Sequence, residues 1–121
     1  MSRQILDESR IHPLIRDQVA ALHADIVTEV QDAIAASAVV VVGMRQNPMP
    51  KRARKILDMS NIVYKYLEYG SYVGGWRRRN ALKMWTGWPT FPMVFVKGVL
   101  VGGAADLARL HASGELAKLL A

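Results

Sequence analysis

Apolar residues along this chain follow two distinct patterns. From Pro13 onward, Leu14, Val19, Leu22, Ile26, Val30 and Ile34 recur every three to five positions. That spacing is the signature of an apolar stripe on a helix, with Pro13 tolerated in the first turn. It fits one long helix or two helices joined by a bend. Val39-Val40-Val41-Val42 then shows no alternation. A short β-branched run between helical segments predicts a central strand buried on both faces.

Further on, Arg45 to Pro50 reads as a loop by its asparagine and prolines. Lys51 to Met59 reads as a helix with Ala53, Ile56 and Leu57 inward and its basic residues outward. Ile62 to Leu67 is a second predicted strand, and Tyr69 to Gly75 a flexible glycine-bearing loop. Trp76 to Trp85 is expected as a helix. Met93 to Val96 pairs with Leu100-Val101 as a hairpin across Lys97-Gly98. Asp106 to His111 and Glu115 to Leu120 close the chain as helices separated by Ser113-Gly114. The order predicts an α/β fold, a four-stranded mixed sheet flanked by helices on both faces. Residues 1–9 are polar and expected to fray.

Composition adds bounds rather than detail. A chain of 121 residues, 51% hydrophobic and 21% charged, is the size and make-up of one globular domain. The longest apolar run, Ala33 to Met44, is interrupted by Ser37 and too short to span a bilayer. No membrane association is expected, and without a signal-peptide pattern the expected location is cytoplasmic. The net charge of +6 is concentrated in Lys51-Arg52-Arg54-Lys55 and Arg77-Arg78-Arg79. These clusters are read first as solvated helix faces. Where they meet a ligand, an acidic protein partner is expected ahead of nucleic acid, for which only charge speaks. The chain has no cysteine, which removes disulfides, thiolate metal ligands and cysteine nucleophiles together. His12, His23 and His111 are too dispersed for a metal site and are read as solvated or capping residues.

Three stretches carry a narrower resemblance. They are Arg79-Asn80-Ala81-Leu82-Lys83 followed by Trp88-Pro89-Thr90-Phe91-Pro92; Val94-Phe95-Val96-Lys97-Gly98 leading to Val101-Gly102-Gly103; and the tail from Leu107 to Leu116. From about Ala24 to Ala121 the chain resembles glutaredoxins, closest to the monothiol type. The resemblance implies a thioredoxin-like fold over residues 24–121, preceded by an extension over 1–23 that is helical from about residue 13.

It also implies a glutathione site. Thr90, Phe91 and a cis Pro92 match the platform that meets the cysteine portion of glutathione. Arg79 matches the family's basic residue for a glutathione carboxylate, and Arg45 stands where a lysine is usual. Gly102, Gly103, Ala104 and Ala105 form the segment that approaches the γ-glutamyl group. The departures are as specific as the matches. The active-site cysteine of the family falls on Asn47 or Pro48, the γ-glutamyl aspartate falls on Ala105 with Asp106 one position late, and Met93 replaces a common glutamine.

Thiol–disulfide exchange needs a thiolate, so catalysis by this chain alone is not expected, and no iron–sulfur cluster is expected either. The expected function is a noncatalytic module binding glutathione or a protein. The alternative is a weak glutathione-dependent oxidoreductase or electron carrier that uses the thiol of bound glutathione. Glutathione is the one small-molecule ligand the resemblance offers. The amphipathic N-terminal stripe leaves packing on a second copy, as a homodimer, open.

Overall fold

A computed structural model describes residues 2–121. Its elements are α1 (Pro13–Ala21), α2 (Ala24–Ala36), β1 (Val39–Gly43), α3 (Pro48–Met59), β2 (Lys65–Glu68), α4 (Trp76–Thr86), β3 (Met93–Val96), β4 (Val99–Gly102), α5 (Ala104–Ser113) and α6 (Glu115–Leu120), preceded by a 3-10 turn at Glu8–Arg10. The strands form one sheet in the order β2-β1-β3-β4. β1 runs parallel to β2 and antiparallel to β3, which pairs antiparallel with β4. This is the mixed α/β sheet expected from the element order.

The valine run decides the layers. Successive side chains on a strand point to opposite faces. Val40 and Val42 therefore join Ile26, Val30, Leu82 and Phe95 in one core. Val39 and Val41 join Ala53, Leu57, Leu107 and Leu116 in the other. Helices α2 and α4 cover the first face; α3, α5 and α6 cover the second.

The N-terminal stripe resolves into two helices. His23 adopts a left-handed conformation (φ 47°) between α1 and α2, which an unbroken helix cannot contain. The break lets Ile26 and Val30 reach full burial, while α1 has no buried residue and leaves Leu14 and Val19 exposed, as is Leu22 directly after it.

Two further expectations are corrected. The end of the segment read as a loop, Pro48 to Pro50, already belongs to α3, while Arg45 to Asn47 remain outside it. Asn47 caps that helix by accepting from the Met49 amide at 2.9 Å. Pro48 and Pro50 fall in the first turn, where backbone amides have no helical partner to lose. The second strand begins at Lys65 rather than Ile62. The chain still closes off α3 at Ile62, whose amide donates to the Leu57 carbonyl at 3.0 Å, and Ile62 and Tyr64 pack on the core without strand pairing while Val63 between them is exposed.

Leu57 is completely buried beneath α5. Leu57→Ala should therefore lower unfolding free energy by about 2–5 kcal/mol in urea titrations. Met59→Ala, two residues on and exposed, should change it by less than about 0.5 kcal/mol.

Candidate functional site

The start of α3 and the turn before β3 meet at one end of the sheet, because β1 and β3 are antiparallel neighbours with Val42 opposite Met93. The Phe91-Pro92 peptide bond is cis. Asn47 Nδ2 donates to the Phe91 carbonyl at 3.3 Å, while the Asn47 Oδ1 caps α3. The Asn47 carboxamide thus joins helix start and turn. Pro48 is exposed and has no side-chain polar group to offer, so Asn47 is the residue that couples α3 to the turn.

The glycine pair lies against the same turn. Gly102 has φ +114°, and a Cβ there would lie 2.5 Å from Asp106 Oδ2, so only glycine fits. A Cβ on Gly103 would lie 3.5 Å from the Pro92 carbonyl oxygen and 3.8 Å from Trp88 Nε1. The Trp88 indole N–H is buried without an acceptor among the described residues.

The sequence-derived ligands separate into two groups. Thr90 and Ala105 are exposed; Phe91, Pro92, Gly102, Gly103 and Ala104 are buried around the turn. Asp106, one position late for a γ-glutamyl anchor, is engaged otherwise. Its Oδ2 accepts from the Gly103 amide at 2.9 Å and its Oδ1 pairs with Arg109. The Gly103 amide and the nearest carboxylate are therefore bonded to each other.

Arg79 is also placed differently from an open carboxylate ligand. It is buried, and its Nη1 donates to the carbonyls of Tyr69 at 3.1 Å and Gly74 at 2.8 Å. With the Ser71 amide donating to Gly74 at 2.9 Å, Arg79 ties down the loop expected to be flexible. Arg45 is exposed and lies in a cleft of about 500 Å³ on the other side of Asn47, between α3 and β2.

One residue near the turn was passed over in the sequence. The Lys83 ammonium lies 5.8 Å from the Phe91 ring centroid, a cation over an aromatic face. Its signal was its spacing, one helical turn after Arg79 on the same face of α4. Cations near the N-terminus of a twelve-residue helix give this end of the sheet a field that favours anions.

The glutaredoxin family model matches residues 39–101, about half the chain. The chain belongs to the glutaredoxin family. It is 45% identical over 94 residues to a glutaredoxin-like protein of Dictyostelium discoideum, covering 78% of this chain and 76% of that one. It is 35% identical over 94 residues to mitochondrial glutaredoxin-2 of Rattus norvegicus, covering 78% of this chain but only 60% of that protein's length. Among solved structures, oxidized glutaredoxin 2 from Chlamydomonas reinhardtii matches with TM-score 0.70 and 29% identity, over 81% of this chain and 92% of that one. The buckwheat glutaredoxin–glutathione complex matches with TM-score 0.72 and 25% identity, over 82% and 90%. The thioredoxin-like fold of a glutaredoxin is thus present in a chain without cysteine.

Because Arg79 satisfies two carbonyls from inside, Arg79→Met should destabilise this glutaredoxin by about 1.5–3 kcal/mol, read as a lower urea midpoint. A second expectation concerns alkaline pH. Burial first, then the hydrogen bond to Glu68, pushes the Tyr66 phenol from 10.0 up to about 12. Burial first, then donation to Glu29 at 2.6 Å, raises Tyr69 as well. Both phenols keep their protons in the fold at a pH where the unfolded chain loses them. Their stabilisation is full below about pH 10 and fades as pH rises toward 12. Tyr66→Phe should make that loss shallower in pH-dependent thermal melts.

Proposed function

We propose that this glutaredoxin family member is a glutathione-recognition module that does not itself carry out exchange. The observation that carries this reading is the position of Asn47. It occupies the capping position of α3 against the Phe91-Pro92 turn, and its carboxamide holds both together. The family's Cys-x-x-Cys pattern, laid on that register, reads Asn47-Pro48-Met49-Pro50. A carboxamide donates and accepts hydrogen bonds but is no nucleophile at neutral pH, so the covalent step of the family has no atom to begin it.

The recognition elements are more complete on one side than on the other. The buckwheat relative solved with glutathione supports assigning the turn to the cysteine portion of that tripeptide. Phe91 supplies the backbone edge, and Lys83 beside its ring supplies a cation for a carboxylate, whereas Arg45 lies in the cleft beyond Asn47. The γ-glutamyl side is weaker, because Ala105 has no carboxylate and the Gly103 amide is already bonded to Asp106. Loss of one charge-assisted hydrogen bond corresponds to about 1.5–3 kcal/mol, or roughly one to two decades of affinity. Weakened binding follows.

A titration of reduced glutathione into the isotope-labelled protein should shift amide resonances at Asn47, Lys83 and Phe91. Absence of shifts at millimolar ligand would overturn glutathione recognition. Turnover of a glutathionylated peptide by the unaltered chain, abolished by Lys83→Ala, would overturn the noncatalytic part and assign exchange to the thiol of bound glutathione. Asn47→Cys, incubated with oxidised glutathione, should gain one glutathionyl group by mass spectrometry, whereas Pro48→Cys should gain little.

A further inference from the structure

The cleft between α3 and β2 lies outside the turn just described, sharing only the Arg45–Asn47 end with it. It encloses about 500 Å³. Arg45, Lys51, Arg54 and Lys55 line it, against two carboxylates, Asp58 and Glu68. Opposite charges this close normally pair. Here the ion pairs among the described residues join Arg78 to Asp25, Arg109 to Asp106 and Lys118 to Glu115, all elsewhere. Each carboxylate in the cleft instead accepts from a tyrosine: Asp58 from the Tyr64 hydroxyl at 2.9 Å, Glu68 from the Tyr66 hydroxyl at 3.1 Å. The four cations are left without an acidic partner.

One of them is also held in place. The Arg54 guanidinium stacks on the Tyr66 ring at 4.1 Å, and its Nε is buried without an acceptor. A stacked guanidinium loses less freedom on meeting an anion than a free lysine does. β2 supplies Tyr66 and Glu68 to the wall and is an edge strand, so its outer backbone is available to an extended chain.

We propose that this cleft is a second recognition site, which takes an acidic peptide segment of a partner protein lying along β2. A peptide fits better than a nucleic acid strand for two reasons on these same residues. The one aromatic face in the cleft is covered by Arg54 and cannot stack on a base. Asp58 and Glu68 would oppose a backbone charged at every unit, whereas a peptide can place its carboxylates between them.

The test uses a fluorescein-labelled hexaglutamate peptide and the unaltered chain, followed by anisotropy and by amide shifts. Binding should be present at low salt, weaken as salt rises, and shift Lys51, Arg54, Tyr66 and Glu68. Lys51 and Lys55 are exposed, so Lys51→Glu with Lys55→Glu should leave the fold intact while weakening the peptide roughly tenfold or more. Saturating glutathione should leave peptide affinity unchanged, which separates this site from the turn: either can fail while the other stands. Peptide binding indifferent to the double variant, or shifts scattered over the surface, would overturn the proposal. So would tighter binding of a single-stranded oligonucleotide of equal charge with the same sensitivity to the variant, which would give the cleft to nucleic acid.

Discussion

Burial of β1 on both faces is the constraint from which the rest of this molecule follows. Four consecutive valines cannot be left with one face in water, so helices must cover both sides of the sheet. A strand covered in this way takes partners on both edges, β2 on one and β3 on the other. Its C-terminal end then opens into the middle of the sheet's end, where α3 has to begin. Because β3 runs antiparallel to β1, it must begin at that same end, which brings the Phe91-Pro92 turn beside Asn47. The site is therefore a product of topology before it is a product of any side chain. Ligands of open α/β sheets collect at such strand ends for the same reason.

Most of this architecture was legible because it depends on periodicity and β-branching. The valine run, the Met93 to Val96 strand and the α2 stripe all declare themselves through burial. The errors came where local chemistry overrides pattern. Asn47, Pro48 and Pro50 have loop composition, yet the same residues are favourable at a cap and in the first helical turn. Asp106 looked like a displaced ligand, but its carboxylate is closer in sequence to the Gly103 amide, which it caps. Arg79 looked like a surface cation because a helix start is usually solvated. Its burial depends on two carbonyls from a loop whose closure no spacing rule foretells, including Gly70, where a Cβ would lie 2.4 Å from the Gly74 oxygen. Lys83 stands one helical turn after Arg79 in the sequence, but its place beside Phe91 depends on how α4 packs against the turn.

The charge of the chain also acquires a geography. The cluster Arg77-Arg78-Arg79 is largely used within the fold: Arg78 pairs with Asp25 at 2.9 Å and Arg79 holds backbone carbonyls. The cluster on α3 is not used in this way, although Asp58 and Glu68 stand within the same cleft. Two runs of basic residues that look equivalent in sequence thus differ in what they leave available. A surface pair such as Arg78–Asp25 occupies its cation while adding little stability, whereas an unpaired cation contributes chiefly to steering and partner choice.

Asn47, one of the two positions on which the family's cysteine falls by resemblance, has a structural part to play at this end of the sheet. Asparagine is among the best residues at a helix N-cap, worth about 1 kcal/mol over an uncapped start. The Asn47 cap anchors the start of α3, and Nδ2 extends the anchor to the Phe91 carbonyl. Pro50 reinforces this, since it packs so close to β1 that a Cβ on Gly43 would lie 2.7 Å from the Pro50 Cβ. The start of α3 is thus held on the sheet side by Pro50, at the helix start by the Asn47 cap and at the turn by Asn47 Nδ2. A start held in this way lowers the entropic cost of binding. Asn47 and Pro50 therefore act in one direction: both hold the start of α3 against the sheet and the Phe91-Pro92 turn.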